Sequence, residues 1–143
     1  MNNRSKRFFA LLLCFVVVLS LCACGGNVKN VQVDAVESEI YSEKDIDSAV
    51  QVIIREFDRS WKGCTLTRIS YAGDEKTRSE SEYYLNNHGF YNADELIVLT
   101  SSFDVDETGG DGSLNPNSTY DGWNWILIRN NGGRWKHVDH GYG

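Results

Sequence analysis

The chain has 143 residues, 24% of them charged and 41% hydrophobic, with a formal net charge of −6. This is the composition of one globular domain rather than a disordered or fibrous chain. The acidic balance argues against a nucleic-acid partner and against adhesion to anionic lipid by charge.

Arg4, Lys6 and Arg7 form a positive start, and Phe8 to Leu21 is almost wholly apolar. That run is shorter than the roughly 20 residues a spanning helix needs, so it reads as a signal segment rather than an anchor. Leu21-Cys22-Ala23-Cys24 resembles the lipobox of bacterial lipoproteins. The resemblance implies a signal peptide over 1–23, cleavage before Cys24 and diacylglycerol on its thiol. It also implies attachment to the outer face of the cytoplasmic membrane. Losing three positive charges and no negative one takes the mature chain from −6 to −9. Cys14 and Cys22 leave with the signal and Cys24 carries lipid, so Cys64 stands alone and no intrachain disulfide is expected. A lone thiol at a strand start reads as a small buried side chain before it reads as a nucleophile.

Residues 24–42 are expected to be the lipidated cysteine and a tether. Gly25 to Ser42 shows no periodicity and as a coil would span roughly 20–25 Å. Whether Val31 to Tyr41 docks on the domain is left open. Ser42-Glu-Lys-Asp45 opens a helix as a capping box. Ile46, Ala49, Val50, Ile53, Ile54 and Phe57 then make an apolar stripe at helical spacing as far as Ser60. Lys62-Gly63 turns the chain into a strand over Cys64 to Tyr71, whose alternation slips between Leu66 and Ile69 and so suggests a bulge. Thr77-Arg-Ser-Glu80 reads as a second capping box, opening a short helix through Tyr83, Tyr84 and Leu85 that stops at Gly89.

Ala93 to Val105 is a strong strand, and its run Leu96-Ile-Val-Leu99 suits a central position covered on both faces. Asp106 to Thr119, with the only proline at 116, is a long surface loop. Tyr120 to Tyr142 reads as a hairpin around Asn131-Gly132, the dipeptide that best tolerates a type I′ turn. That turn places Ile128 opposite Trp135 and Ile126 opposite His137 on one face. Trp125 with Val138 and Trp123 with His140 fall on the other. Both faces carry large apolar groups, so both need covering. The expected architecture for 43–143 is a single α+β domain, a long helix packed in a curved antiparallel sheet of about four strands plus one short helix.

Ser42-Glu-Lys-Asp-Ile46, Trp61-Lys-Gly-Cys64, Asn115-Pro-Asn-Ser-Thr-Tyr120, Trp123-Asn-Trp125 and the closing Trp135, Asp139 and Gly141-Tyr142 resemble a family of uncharacterised bacterial lipoproteins, a domain of unknown function. The resemblance covers essentially the whole mature domain. More distantly, the layout is similar to the nuclear transport factor 2-like, or cystatin-like, fold. That likeness implies a pocket in the sheet or dimerisation through it. Its ketosteroid-isomerase and dehydratase members work with an Asp, His or Tyr inside the cone, but no motif carries those roles onto positions here.

His137 shares a strand face with Asp139 and is the candidate general base. His137 and His140 are expected on opposite faces, which argues against their gripping one metal. Asp104, Asp106 and Asp111 cluster before the hairpin, and Asp104-Val-Asp106-Glu-Thr108-Gly109 follows the first half of a calcium loop, but Asn115 stands where a bidentate Glu belongs. Trp123, Trp125, Trp135, Tyr120 and Tyr142 are the candidate pocket or interface residues. No cofactor is implied. The expected function is a lipid-anchored, non-catalytic module binding a small apolar ligand or an envelope protein. A pocket enzyme and a homodimeric envelope protein are the alternatives.

Overall fold

The computed structural model describes residues 25–87 and 91–142. The signal segment, Cys24 and the helix stop expected at Gly89 lie outside the described residues. Element order is β1 (Gln32–Asp34), α1 (Glu43–Ser60), β2 (Cys64–Tyr71), α2 (Asp74–Ser81) with a π-helical continuation (Glu82–Asn87), β3 (Glu95–Val105), β4 (Thr119–Arg129) and β5 (Lys136–Gly141). The strands form one sheet in the order β1-β2-β3-β4-β5. β1 runs parallel to β2 and every other neighbour is antiparallel. The domain is therefore α+β with a five-stranded mixed sheet rather than the four antiparallel strands expected. Among the described residues no helix is long and apolar enough to cross a membrane.

α1 starts where its cap dictates. The Ser42 side chain accepts from the Asp45 amide at 3.2 Å, and Asp45 reaches back to the Ser42 amide at 3.3 Å. The stripe Ile46, Ala49, Val50, Ile53 and Phe57 is buried against one sheet face, formed by Leu66, Ile69, Ile97, Leu99, Phe103, Trp125 and Leu127. Burying a side chain of this size stabilises by about 1.5–3 kcal/mol. The opposite face, with Leu96, Val98, Ile126, Ile128 and Val138, is covered by Ala72, Tyr84 and Leu85. β3 is thus covered on both faces, as its unbroken apolar run requires. The expected bulge in β2 lies between Leu66 and Arg68.

Three expectations are corrected. First, Gly25 to Tyr41 is not a free tether. The Gly26 amide donates to the Phe57 carbonyl (3.0 Å), the Asn27 amide to that of Cys64 (2.8 Å), and the Leu66 amide to that of Asn27 (2.9 Å). β1 adds to the β2 edge, and Tyr41 Oη donates to the Leu96 carbonyl at 3.0 Å.

Second, Thr77 does not cap a helix. α2 begins after Gly73, whose φ of 98° lets the chain turn there, and Thr77 lies buried within it. The sheet explains this. β2 ends at Tyr71, so beyond it the Val98 amide has no strand partner and donates to Thr77 Oγ1 at 3.2 Å.

Third, the hairpin turn forms where expected but the register differs. Asn131 and Gly132 take φ of 53° and 63°, and the Gly133 amide closes on the Asn130 carbonyl at 2.9 Å. Trp135, however, leaves the ladder. Its indole N–H donates to the Asp45 carbonyl at 3.1 Å, and the Arg129 guanidinium lies 4.1 Å over its ring. Pairing starts at Ile128–Lys136 and Leu127–His137, then skips to Ile126–Asp139 and Trp125–His140. Val138 is the bulged residue. Ile128 therefore does not face Trp135, Ile126 does not face His137, and neither pair expected on the other face forms.

Candidate functional site

The β5 bulge decides what shares a face. With Val138 unpaired, Val138 and Asp139 both turn towards α2, while His137 and His140 both turn towards α1. His140 Nδ1 lies 3.2 Å from His137 Nε2, and the rings stack with centroids 5.2 Å apart. The opposite-face reading of the two histidines is thus overturned, and so is the shared face of His137 with Asp139. The Asp139 carboxylate accepts from Tyr84 Oη (2.9 Å) and from the His140 amide (2.9 Å). Of Asp139, His137 Nε2 meets the backbone carbonyl, at 3.1 Å, and not the carboxylate. The pair proposed as base and tuning acid is divided by the sheet.

His137 and His140 sit in an aromatic pile at the C-terminal end of α1. Trp61 stacks on Phe57 (5.1 Å, 11°) and meets Trp125, Trp123 and His140 edge-on at 4.9–6.0 Å. Tyr120 stacks on Phe103 at 5.1 Å, and Tyr142 on Tyr120 at 5.9 Å. Trp125 is fully buried and donates from its indole to Ser101 Oγ at 2.8 Å. Trp135 belongs to the opposite end of α1 and lines no part of this region. Trp123 is half-buried, and its indole N–H is buried with no hydrogen-bond partner among the described residues. An unpartnered buried donor of this kind carries a desolvation penalty of about 1–3 kcal/mol.

Along this pile runs a cleft of about 480 Å³, lined by Glu56, Trp61, Asp111, Leu114, Trp123 and His140, with Cys64 among its remaining lining residues. Its outer lip is the Asp106–Ser118 loop, latched at both ends. The Asp106 amide donates to the Gly63 carbonyl at 2.9 Å, and the Asn115 amide to Tyr120 Oη at 3.1 Å. That second bond gives the Asn-Pro-Asn-Ser-Thr-Tyr stretch its structural role. Gly63 has a φ of 74° and an added Cβ would lie 2.7 Å from Thr108 Oγ1, so the turn and the loop are close-packed there.

The electrostatics disfavour nucleophilic chemistry. Burial, reinforced by Asp106 and Asp111, pushes the Cys64 thiol up to about 11, so it stays protonated at neutral pH. Burial lowers His137, and the neighbouring His140 lowers it further; His140 is lowered by burial too, although part of it is exposed. Both imidazoles are neutral at pH 7. Of the clustered aspartates weighed as metal ligands, Asp106 and Asp111 serve local turns and Asp104 bonds across the β3–β4 ladder. Asp106 accepts from the Thr108 amide and hydroxyl, Asp111 from those of Ser113, and Asp104 from Thr119 Oγ1 at 2.6 Å. Among the described residues no three His, Cys, Asp or Glu side chains converge as metal ligands.

Of the aromatic candidates Trp123 lines the cleft, while Tyr120 and Tyr142 stack beside it without lining it. Glu56, His140 as a cleft residue, and Leu114 were not legible as site residues: their shared position depends on the bulge and on how the loop folds back. No protein-family model, curated protein or solved structure matches this chain.

Proposed function

We propose that the chain is a lipid-anchored extracytoplasmic module that binds a small, largely apolar ligand in the Trp61–Trp123–His140 cleft. The observation that carries this reading is the cleft itself. It holds about 480 Å³ between partly exposed aromatic rings, with Glu56, Asp111, Lys62 and the neutral His140 imidazole among the polar groups that would orient a guest. Anchoring rests on the lipobox-like Leu21-Cys-Ala-Cys24. At fold level we favour the nuclear transport factor 2-like layout, supported by a long amphipathic helix on one face of a mainly antiparallel sheet. The homodimer alternative needs a free second sheet face, and Tyr84 and Leu85 already lie on that face.

Titration with N-phenyl-1-naphthylamine, a neutral apolar probe, tests the reading. Saturable enhancement with one site per chain is expected, weakened at least tenfold in Trp61→Ala and retained in Trp61→Phe, with circular dichroism confirming folded protein. Absence of saturation, or equal binding by Trp61→Ala, refutes it. A second reading, proton transfer by a pocket imidazole, is favoured by one observation: His140 lines the cleft with His137 Nε2 3.2 Å behind it. A ligand whose exchangeable C–H protons are lost at a rate unchanged in His140→Gln would remove that reading.

A further inference from the structure

The lipoprotein reading gives the chain an anchor at Cys24, and the structure leaves that anchor almost no slack. Two glycines follow the cysteine, a pair that by composition would be a flexible joint. They are instead packed against the end of α1. An added Cβ on Gly26 would lie 2.6 Å from the Phe57 ring, and one on Gly25 would overlap the Asp58 carbonyl. The Gly26 amide donates to Phe57, and Asn27 bridges to Thr65 at the start of β2. Consecutive Cα atoms are about 3.8 Å apart and Gly25 is already held in the fold, so a lipid on the preceding residue would have no free chain to hang from. No spacer separates lipid from domain.

The chain also enters at the end of the molecule that carries the cleft. Gly25 and Gly26 touch Phe57 and Asp58, and the cleft is lined by Glu56, Trp61 and Cys64 of the same turn region. The start of β4 and the finish of β5 lie at this end too, and bring Tyr120, Trp123 and the exposed Tyr142 with them. The Asn131-Gly132 turn and the Ser42 cap lie at the other, a helix length of about 27 Å away. Aromatic rings with one apolar side and one polar tip are suited to a lipid–water boundary.

We propose that this domain rides directly on the outer face of the cytoplasmic membrane, aromatic end down, with the cleft opening at the level of the lipid headgroups. The partner is a lipid bilayer surface, and the occupant of the cleft is taken from it. This rests on the lipid-anchor and cleft readings above, and adds orientation and source. Charge does not draw the domain down. Glu56, Asp58, Asp106 and Asp111 line this end together with Lys29 and Lys62, and Arg59 is paired with Glu56, so the covalent anchor holds it, and anionic lipid weakens the contact.

The test uses the full, processed chain in phosphatidylcholine vesicles carrying a headgroup-attached nitroxide. A fluorophore is placed either at Ser113→Cys, beside the cleft, or at Arg134→Cys, beyond the distal turn; both positions are exposed. Quenching at 113 is expected to exceed that at 134 at least threefold. Ten Gly/Ser residues inserted between Cys24 and Gly25, a coil of roughly 17 Å, bring the two within a factor of 1.5. Anionic lipid lowers quenching at 113. Equal quenching in the lipidated, unextended chain overturns the orientation and leaves the anchor intact. A mature mass lacking diacylglycerol overturns the anchor, and this proposal with it.

Discussion

Arg129 joins three elements and offers the sharpest test of how the domain is held together. Its guanidinium pairs with Glu95 through two bonds of 2.7 and 2.9 Å, bonds Asp45 at 2.7 Å, and lies over Trp135; its side chain is only 9% exposed. Arg129→Met keeps the volume and removes the charge, leaving two carboxylates facing each other without a counter-ion. Breaking a buried pair costs about 3–5 kcal/mol, but Asp45 and Glu95 are each about a third exposed, so water screens part of this and about 2–3 kcal/mol is the working figure. With a urea m-value of about 1.2 kcal/mol per M, the midpoint falls by about 2 M. Glu95→Gln in the same chain should restore at least half of the loss, because fewer charges are left unpaired. The pH dependence has a definite sign. Hydrogen bonds from Ser42 and then Arg129 hold the Asp45 carboxyl below the usual range, so its contribution is present above the unfolded value of about 3.8 and lost as pH falls through the folded one. The gap between wild type and variant should therefore narrow below pH 4. A variant within 0.5 M of wild type at pH 7, or a gap that widens in acid, refutes the reasoning.

The two histidines make a second pH-dependent term. Both are lowered on folding from 6.5, so the unfolded chain binds more protons and stability falls as pH drops below about 6.5. Urea midpoints at pH 7.5 and 5.5 should differ, and His137→Gln with His140→Gln should remove most of that difference. Trp123→Phe gives up an indole N–H that has no partner among the described residues, whereas Trp125→Phe gives up the bond to Ser101 and leaves that buried hydroxyl only a long 3.5 Å contact with the Trp123 carbonyl. Thermal melts should show the first near neutral and the second destabilised by about 1–2 kcal/mol. Gly26→Val forces a side chain against Phe57, and a loss of about 1–3 kcal/mol in denaturant titration is expected. A full-stability Gly26→Val variant would mean that the segment after Cys24 is not held.

What was legible in the sequence was local. The α1 cap and stripe, the β2 bulge, the doubly covered β3 and the type I′ turn each depend on residues within a few positions of one another, and each stands as read. What was not legible depends on distant partners. A three-residue parallel strand has no periodicity to detect, so β1 was indistinguishable from spacer. Thr77 has the identity of a cap but serves a strand 21 residues away. The hairpin register slips because Trp135 gains more by reaching Asp45 and Arg129 than by pairing across from Ile128. That slip matters most, since the compensating bulge at Val138 turns His140 into the cleft and Asp139 out of it. Trp123, Trp125 and His140 were therefore legible on one face, whereas the arrival of His137 on that face, and of Glu56 and Leu114 beside it, was not.

The proposed site stands on one grouping: Trp61, Trp123 and His140 forming one binding wall, with Trp135 apart from it. Nitrogen–proton correlation spectra of the four indole groups and the histidine rings, recorded as N-phenyl-1-naphthylamine is added, read it directly. Progressive shifts at Trp61, Trp123 and His140, with Trp135 unmoved, are the expected result. Shifts led by Trp135, or a probe that binds while the His140 ring stays silent, would contradict it.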